Sequence, residues 1–307
     1  FPTHGWPSST KLLKRYHPTN VLVTGFDIIF FRVARMIMMT THFIKEVPFK
    51  KIFIHGLIKD SEGHKMSKSK GNTLDPLDII DGINLKELLG KRTEGLMQPK
   101  MRERIEKQTK KEFPEGINAY GTDALRLTFC SLASGGRDIN FDMKRVEGYR
   151  NFCNKLWNAS RFIDLQLEKY EISDEESTDD ADQWINYKLN ETLNRVEEAF
   201  EDYRFDLVIK AIYEFIWYEF CDWYIELSKI RLSSGLTNNA SKAQIMRSII
   251  NTLEKTLRLA HPIMPFITEE IWQHHKDHNQ TSCESIMISS FPTSEDSPEV
   301  KSHDSIE

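Results

Sequence analysis

Lys65, Ser67, Lys68 and Ser69 stand within one five-residue run, KMSKS, inside the stretch HGLIKDSEGHKMSKSKGNTLDP at residues 55–76. Just beyond it, Asn72 and Thr73 can cap a helix carrying Leu77, Ile79 and Ile80 on its apolar side, with free backbone N–H groups pointing back at the lysines. Ammonium groups, hydroxyls and a helix start together suit an anion. The spacing is not that of a Walker P-loop, which needs a glycine pair ahead of its lysine. A solvated basic turn is the competing reading of the same residues.

A second chemical pattern lies on a helix predicted over 144–170. Tyr149, Phe152, Cys153, Leu156, Trp157 and Ile163 form its apolar stripe, whereas Asn151, Asn154, Asn158 and Arg161 recur at three- and four-residue spacing on another side, with Lys155 beside them. Amide and guanidinium groups suit RNA backbone and unstacked base edges. Hydrogen bonding of those asparagines within a helix bundle is the alternative. The aromatic series Tyr213, Phe215, Trp217, Tyr218, Phe220, Trp223 and Tyr224 reads as bundle core rather than as a base-stacking platform. His274, His275 and His278 could put imidazoles one turn apart, but no cysteine or carboxylate completes a ligand set, so no metal site is expected. Cys130, Cys153, Cys221 and Cys283 form no CxxC and read as reduced, mostly buried thiols.

The elements that position these groups follow from periodicity. Val21–Thr24 and Lys51–Ile58 are strand-like, and Phe30–Phe43 between them has helical apolar spacing. That β-α-β unit implies parallel strands of a doubly wound sheet, and the loop at 59–69 follows its second strand. Residues 84–112 are charged, basic and helix-favouring, and Gly121–Ala133 opens on a Thr122-Asp123 cap signal. From Val146 onward the runs 144–170, 182–231 and 241–276 predict an antiparallel helix bundle.

Composition limits the classes available. A chain of 307 residues, 39 % hydrophobic and 28 % charged, has room for about two domains with real cores. No apolar stretch approaches the roughly 20 residues that span a bilayer, and Phe1–Trp6 lacks the regions of a signal peptide, so a soluble cytoplasmic protein is expected. The net charge of −5 is uneven. Residues 171–182 hold seven acids and no base, and 293–307 hold five acids and one lysine, so the remainder carries about +6. That balance is compatible with a polyanionic partner, and neither acidic stretch demands regular structure.

The ordered set TGFD (24–27), HG (55–56) and KMSKS (65–69) resembles the second half of the active site of class I aminoacyl-tRNA synthetases. Within that class, VLVTGFDIIFF with VARMIMM, then VPFKKIFIHGLIKDSEGHKMSKSKGN, DALR and GYRNFCNKLWNASRF, resembles the bacterial type of the valyl family over about residues 5–272. The resemblance implies an α/β, partial Rossmann-like catalytic half at 1–143, an all-α anticodon-binding bundle at 144–290 and an acidic, disordered tail at 291–307. Valine, ATP with Mg²⁺ and valine tRNA are the implied substrates and partners. Lys65 and Lys68 are then the catalytic lysines, placed against the triphosphate, with Ser67 and Ser69 orienting the loop. His55 and Gly56 would frame the adenine with Leu57 and Ile58 beside them, Gly25 would allow close approach, and Asp27 would bind the ribose or the substrate ammonium group. Asn151, Asn154, Lys155, Asn158 and Arg161 would contact tRNA. Arg32 stands where the family usually places a tryptophan of the amino-acid pocket.

Family members also carry an amino-terminal half-sheet with a HIGH-type signature, an editing domain and a carboxy-terminal arm, none of which occurs in these 307 residues. The chain is therefore expected to be a carboxy-terminal portion of a monomeric enzyme, inactive without a separate amino-terminal half. A catalytically silent tRNA-binding module is the alternative.

Overall fold

The computed structural model describes residues 2–60, 62–96, 101–136, 138–278 and 283–294. In chain order the elements are α1 (Lys11–Tyr16), β1 (Thr19–Gly25), a π-helical turn Ile29–Val33 continuing into α2 (Ala34–Ile44), β2 (Phe49–His55) and β3 (Ile58–Lys59). There follow α3 (Pro76–Ile80), β4 (Ile83–Asn84), α4 (Leu85–Thr93), α5 (Arg102–Glu112), β5 (Gly116–Ile117), α6 (Thr122–Leu132) and β6 (Ile139–Asn140). Beyond β6 the regular elements of the described residues are helical: α7 (Met143–Leu167), α8 (Asp180–Glu201), α9 (Phe205–Glu214), a π-helical run Phe215–Tyr224, α10 (Ile225–Ser233), α11 (Asn239–Ala260) and α12 (Pro265–His275). The chain divides into two compact units, Phe1–Met66 with Ala133–Phe141, and Ser67–Leu132 with Asp142–Glu307.

In the first unit β1 and β2 pair in parallel from Thr19↔Phe49 to Gly25↔His55, with α2 in the crossover, as the spacing predicts. The run Lys51–Ile58 is not one strand, however. β2 ends at His55, and β3 pairs in parallel with β6 instead, Ile58 opposite Ile139. The switch has a local cause: Leu57 N–H donates to Asp138 Oδ1 (3.3 Å) and Ile139 N–H donates to the Leu57 carbonyl (2.8 Å), so the ladder changes partner at Gly56–Leu57. Among the described residues the parallel pairs β1–β2 and β3–β6 are separate rather than one doubly wound sheet. Apolar side chains of this unit stay in the open, including Val23 at 62 %, Phe30 at 77 % and Met38 at 69 % exposure.

The second unit carries the main core. Phe152, Leu156 and Ile163 of α7 pack with Ile185, Leu189 and Val196 of α8, Val208 and Ile212 of α9, and Ile249, Leu253 and Leu257 of α11. Each helix buries the stripe that its three- and four-residue spacing sets out. Side chains start them: Asp142 accepts from Lys144 N–H, Asp179 from Asp180 N–H and Asn238 from Ser241 N–H. The predicted run 182–231 breaks after α8, where Tyr203 takes a left-handed φ of 57° and Arg204 grips Asp206 through two nitrogens.

Three further expectations change. Asn72 and Thr73 do not cap the helix after the loop; Pro76 at the first helical position makes Asp75 the cap, accepting from Leu77 N–H. The acidic stretch 171–182 is held rather than free. Ser173 N–H donates to the Ala243 carbonyl and Ser177 N–H to Ser248, while Asp182 is fully buried and accepts from Tyr224 Oη and from Arg231. Burial of that carboxylate is tolerable because a cation and a hydroxyl face it. Finally, the aromatic series is mixed: Phe215, Phe220 and Tyr224 are core, but Tyr218 and Trp223 are exposed at 50 % and 62 %. The expected acidic tail lies, from residue 295 on, outside the described residues. No helix of the described residues is long and apolar enough to cross a membrane.

Candidate functional site

The first unit gathers most of the residues expected to face a nucleotide at one edge. In a parallel sheet the carboxyl ends of the strands are where ligands settle, and β1 and β2 end side by side at Gly25 and His55. A Cβ on Gly25 would stand 3.0 Å from Asp27 Oδ1, 3.5 Å from the His55 ring and 3.6 Å from Leu57 Cδ2. Glycine therefore leaves the room in which those three side chains meet. Lys65 comes to the same place, with Nζ 3.1 Å from Asp27 Oδ2. His55 Nδ1 lies 2.9 Å from the Gly56 carbonyl, and Ile58 opens β3. Lys65 and Asp27 are both substantially exposed, so their pair is weak enough to exchange for a ligand.

Asp138, which sequence reasoning missed, fastens this edge from the far end of the unit. It accepts from Leu57 N–H and from Lys59 Nζ at 2.6 Å, and these bonds hold its carboxyl below the usual carboxylate range, the Lys59 ammonium first. The signal available was Gly135-Gly136 ahead of an aspartate, a turn returning the chain to the sheet.

The remainder of the KMSKS run belongs to the second unit, where Lys68–Lys70 form a 3₁₀ turn. Ser67 and Ser69 hydroxyls bond each other at 3.2 Å, and Ser67 N–H donates to Asn72 Oδ1 at 2.9 Å. Lys68 is exposed. Gly71 ends the turn at a φ of 65°, and its carbonyl accepts from Nε of buried Arg92 at 3.0 Å. Glu112 and the Phe113 ring hold that guanidinium on its other sides. Arg92, a second residue that the sequence reading missed, thus anchors the carboxyl end of the loop to α4 and α5.

On α7 the expected polar face is real: Asn151, Asn154, Asn158 and Arg161 are all exposed. Lys155 behaves differently. Its ammonium sits 3.9 Å above the Trp217 ring and bonds Asp222, so it is engaged within the bundle. Arg32 is exposed in the π-helical turn before α2. His275 is buried against Ser160 (2.9 Å) and Asp164 (3.4 Å), while His274 faces Glu270 and the Trp157 ring. Among the described residues no group of three or more histidine, cysteine or acidic side chains converges on one point. The thiols are free, and burial pushes Cys153 and Cys221 up to about 12.

The DALR segment has its own geometry. Asp123, predicted to start its own helix, turns away and accepts from Phe266 N–H (3.3 Å) and Ile267 N–H (2.7 Å), the open end of α12. Arg126, one turn on, donates to the Pro262 and Ile263 carbonyls, both at 2.9 Å. One face of α6 thereby satisfies both the donors and the acceptors of the α11–α12 turn.

With this arrangement in view, the likeness to known proteins is informative. Residues 1–142 match the family described as tRNA synthetases class I (I, L, M and V), and residues 182–307 match the anticodon-binding domain of tRNA ligases. Among solved structures, methionyl-tRNA synthetase of Mycobacterium tuberculosis in complex with methionyl-adenylate shares the fold at a TM-score of 0.63 and 20 % identity, over 88 % of this chain and 47 % of that one. The LeuRS–tRNA–LeuAMS ternary complex of Agrobacterium radiobacter K84 does so at 0.58 and 18 %, over 94 % of this chain and 31 % of that one. The first match puts residues 1–142 in the class I tRNA synthetase family. Within the class it is similar to valine–tRNA ligases: it is 56 % identical to the enzyme of Legionella pneumophila (strain Paris) over 295 residues, and 53 % identical to that of Acinetobacter baylyi over 310. It covers 95 % and 96 % of itself in these matches and spans about a third, 32 %, of each relative.

Proposed function

We propose that residues 1–143 are the KMSKS side of a valine-activating catalytic domain and that 144–290 bind the anticodon arm of valine tRNA. The observation that carries the reading is the meeting of Gly25, Asp27, His55, Leu57 and Lys65 at the carboxyl ends of two parallel strands. In the proposed reaction a valine carboxylate oxygen bonds to the α-phosphorus of ATP as the bond to pyrophosphate breaks, giving valyl-adenylate; the amino acid then passes to tRNA. Negative charge grows on the phosphoryl oxygens and on the leaving group. Lys65 and Lys68 stabilise it with ammonium groups that tighten in the transition state and can let pyrophosphate go. Lys65 exchanges Asp27 for the phosphates, freeing Asp27 for the ribose or the substrate ammonium group. Gly56 and Ile58 border the adenine, and Ser67 and Ser69 brace the loop. Mg²⁺ would come with the nucleotide, on its phosphate oxygens.

The exposed Val23, Phe30 and Met38 support a further layer over the first unit, contributed by an amino-terminal half of the catalytic domain. On α7, Asn151, Asn154, Asn158 and Arg161 contact tRNA, with Lys155 joining them only if it leaves Trp217. Arg32 would border the valine pocket. Such an enzyme works as a monomer in the cytoplasm. A second reading, tRNA binding without activation, draws on the Asn151–Arg161 face, which lies whole within one compact unit.

Valine-dependent ATP–pyrophosphate exchange separates the two. Residues 1–307 alone should be silent. Supplemented with the amino-terminal half of a related valine–tRNA ligase they should exchange, and Lys68→Ala should reduce the rate at least about a hundredfold, as loss of a transition-state charge contact does. Exchange insensitive to Lys68→Ala would overturn the assignment. For tRNA, joint replacement of Asn154, Asn158 and Arg161 by alanine should weaken binding with unchanged helicity.

A further inference from the structure

A groove of about 490 Å³ opens in the second unit where the end of α6, the first turns of α7, α9 and the start of the π-helical run come together. Its size falls within the roughly 300–1,000 Å³ of small-ligand clefts. Much of its wall is tyrosine: Tyr149, Tyr213 and Tyr218. The Tyr149 and Tyr218 rings stand nearly perpendicular to Tyr213, at 6.3 and 6.4 Å between centroids. Tyr213 itself is locked, stacked on Phe152 at 4.8 Å and on Trp217 at 5.4 Å. Tyr213 is thus a fixed ring against which Tyr149 and the half-exposed Tyr218 stand edge-on.

Its charges are equally ordered. Asp206 is held by both Arg204 nitrogens, and Glu214 by Arg195 at 2.8 Å with Lys210 at 3.8 Å. The groove's own lining has two carboxylates, Asp206 and Glu214, and two cations, Arg145 and Lys210, and each carboxylate is paired with an arginine from beyond the lining, Arg204 or Arg195. Arg145 and Lys210 are exposed at the lip. Ring surfaces inside and two cations at the rim, Arg145 and a Lys210 that shares Glu214 with Arg195, suit a nucleotide: a flat base and a phosphate. The groove is open to solvent, which leaves room for a nucleotide that belongs to a strand.

We infer that this groove takes an unstacked nucleotide of the bound RNA, its base against Tyr218 and Tyr149 and its phosphate toward Arg145 and Lys210. The inference rests on the tRNA-binding reading above, yet it uses a different surface: Arg145 and Tyr149 lie on the side of α7 away from Asn154, Asn158 and Arg161. The groove also draws on residues 143–181, which lie between the two family matches.

The test is equilibrium binding of a valine tRNA transcript to residues 1–307, comparing Tyr218→Ala, Tyr218→Phe and Arg145→Ala with the Asn154/Asn158/Arg161 triple variant. Tyr218 and Arg145 are surface residues, so melting curves should stay those of wild type. Tyr218→Ala should weaken binding about five- to tenfold, the effect of one lost base stack, and Tyr218→Phe should restore it. Arg145→Ala should lower the slope of log affinity against log salt by roughly 0.7–0.9, the loss of one phosphate contact. Wild-type affinity in the Tyr218 and Arg145 variants, with loss in the triple variant, would overturn the groove and leave the tRNA reading standing. No tRNA binding by the wild-type chain would overturn both. A parallel titration with AMP distinguishes sources: a melting shift with millimolar AMP, abolished by Tyr218→Ala while tRNA affinity is untouched, would mean a free-nucleotide site and sink the inference.

Discussion

Replacing Asp123 with alanine should uncouple α6 from α12, and the size of the effect follows from its bonds. Met264 occupies the cap position of α12 without a side-chain bond, so the N–H groups of Phe266 and Ile267 depend on the Asp123 carboxylate. Loss of an N-cap costs about 0.5–2 kcal/mol, and a buried donor left unsatisfied about 1–3 kcal/mol; the two overlap. Burial raises the Asp123 carboxyl above its ordinary value despite the two N–H bonds that lower it, so some desolvation cost is recovered on removal. A net loss of about 2 kcal/mol is expected, equivalent to roughly 4–8 °C for a unit of this size. Asp123→Asn keeps an acceptor toward Ile267 and should lose about half as much. Thermal melts and urea unfolding of residues 1–307 measure both. Because the folded carboxyl binds its proton more tightly than the unfolded one at 3.8, the unfolded chain ionises first as pH rises. Wild type should therefore lose stability relative to Asp123→Asn as pH climbs from 3.8 through the folded value, and the difference should be flat above it. A melt for Asp123→Ala within about 1 °C of wild type, or equal losses for Ala and Asn, would refute the trans-capping account.

Gly71→Ala should destabilise the second unit by about 1–3 kcal/mol, since a Cβ there meets the Arg92 carbonyl and Ile105 Cδ1 at 2.6 Å in a left-handed backbone; proteolysis within the KMSKS run should accelerate with it. Asp182→Ala strands the Arg231 cation and the Tyr224 hydroxyl, and should cost about 3 kcal/mol in urea unfolding, less than a fully isolated charge because Asp179 stays 3.0 Å from Arg231. Cys153 and Cys221, with pKa values pushed to about 12, should resist alkylation at pH 8 in the folded chain and react in urea, as peptide mass spectrometry would show.

The loop with Lys65 and Lys68, the β-α-β order of residues 19–55 and the apolar stripe of α7 were all legible in the sequence, because each depends on neighbours within a turn or an alternation. The exposure of Asn151, Asn154, Asn158 and Arg161 followed from the same periodicity. What tertiary structure decided was partnership. Asp123 carried a local cap signal, yet its carboxylate serves an N–H group 144 positions away; Asp138 divides a strand by reaching Leu57 across 81 positions; and Asp182 left an apparently free acidic stretch to be buried against Tyr224 and Arg231. A carboxylate bonds whichever donor the fold delivers to it, and burial strengthens that choice by removing water as the alternative. Periodicity specifies which face of a helix is buried, but the donor that arrives there depends on how distant helices pack.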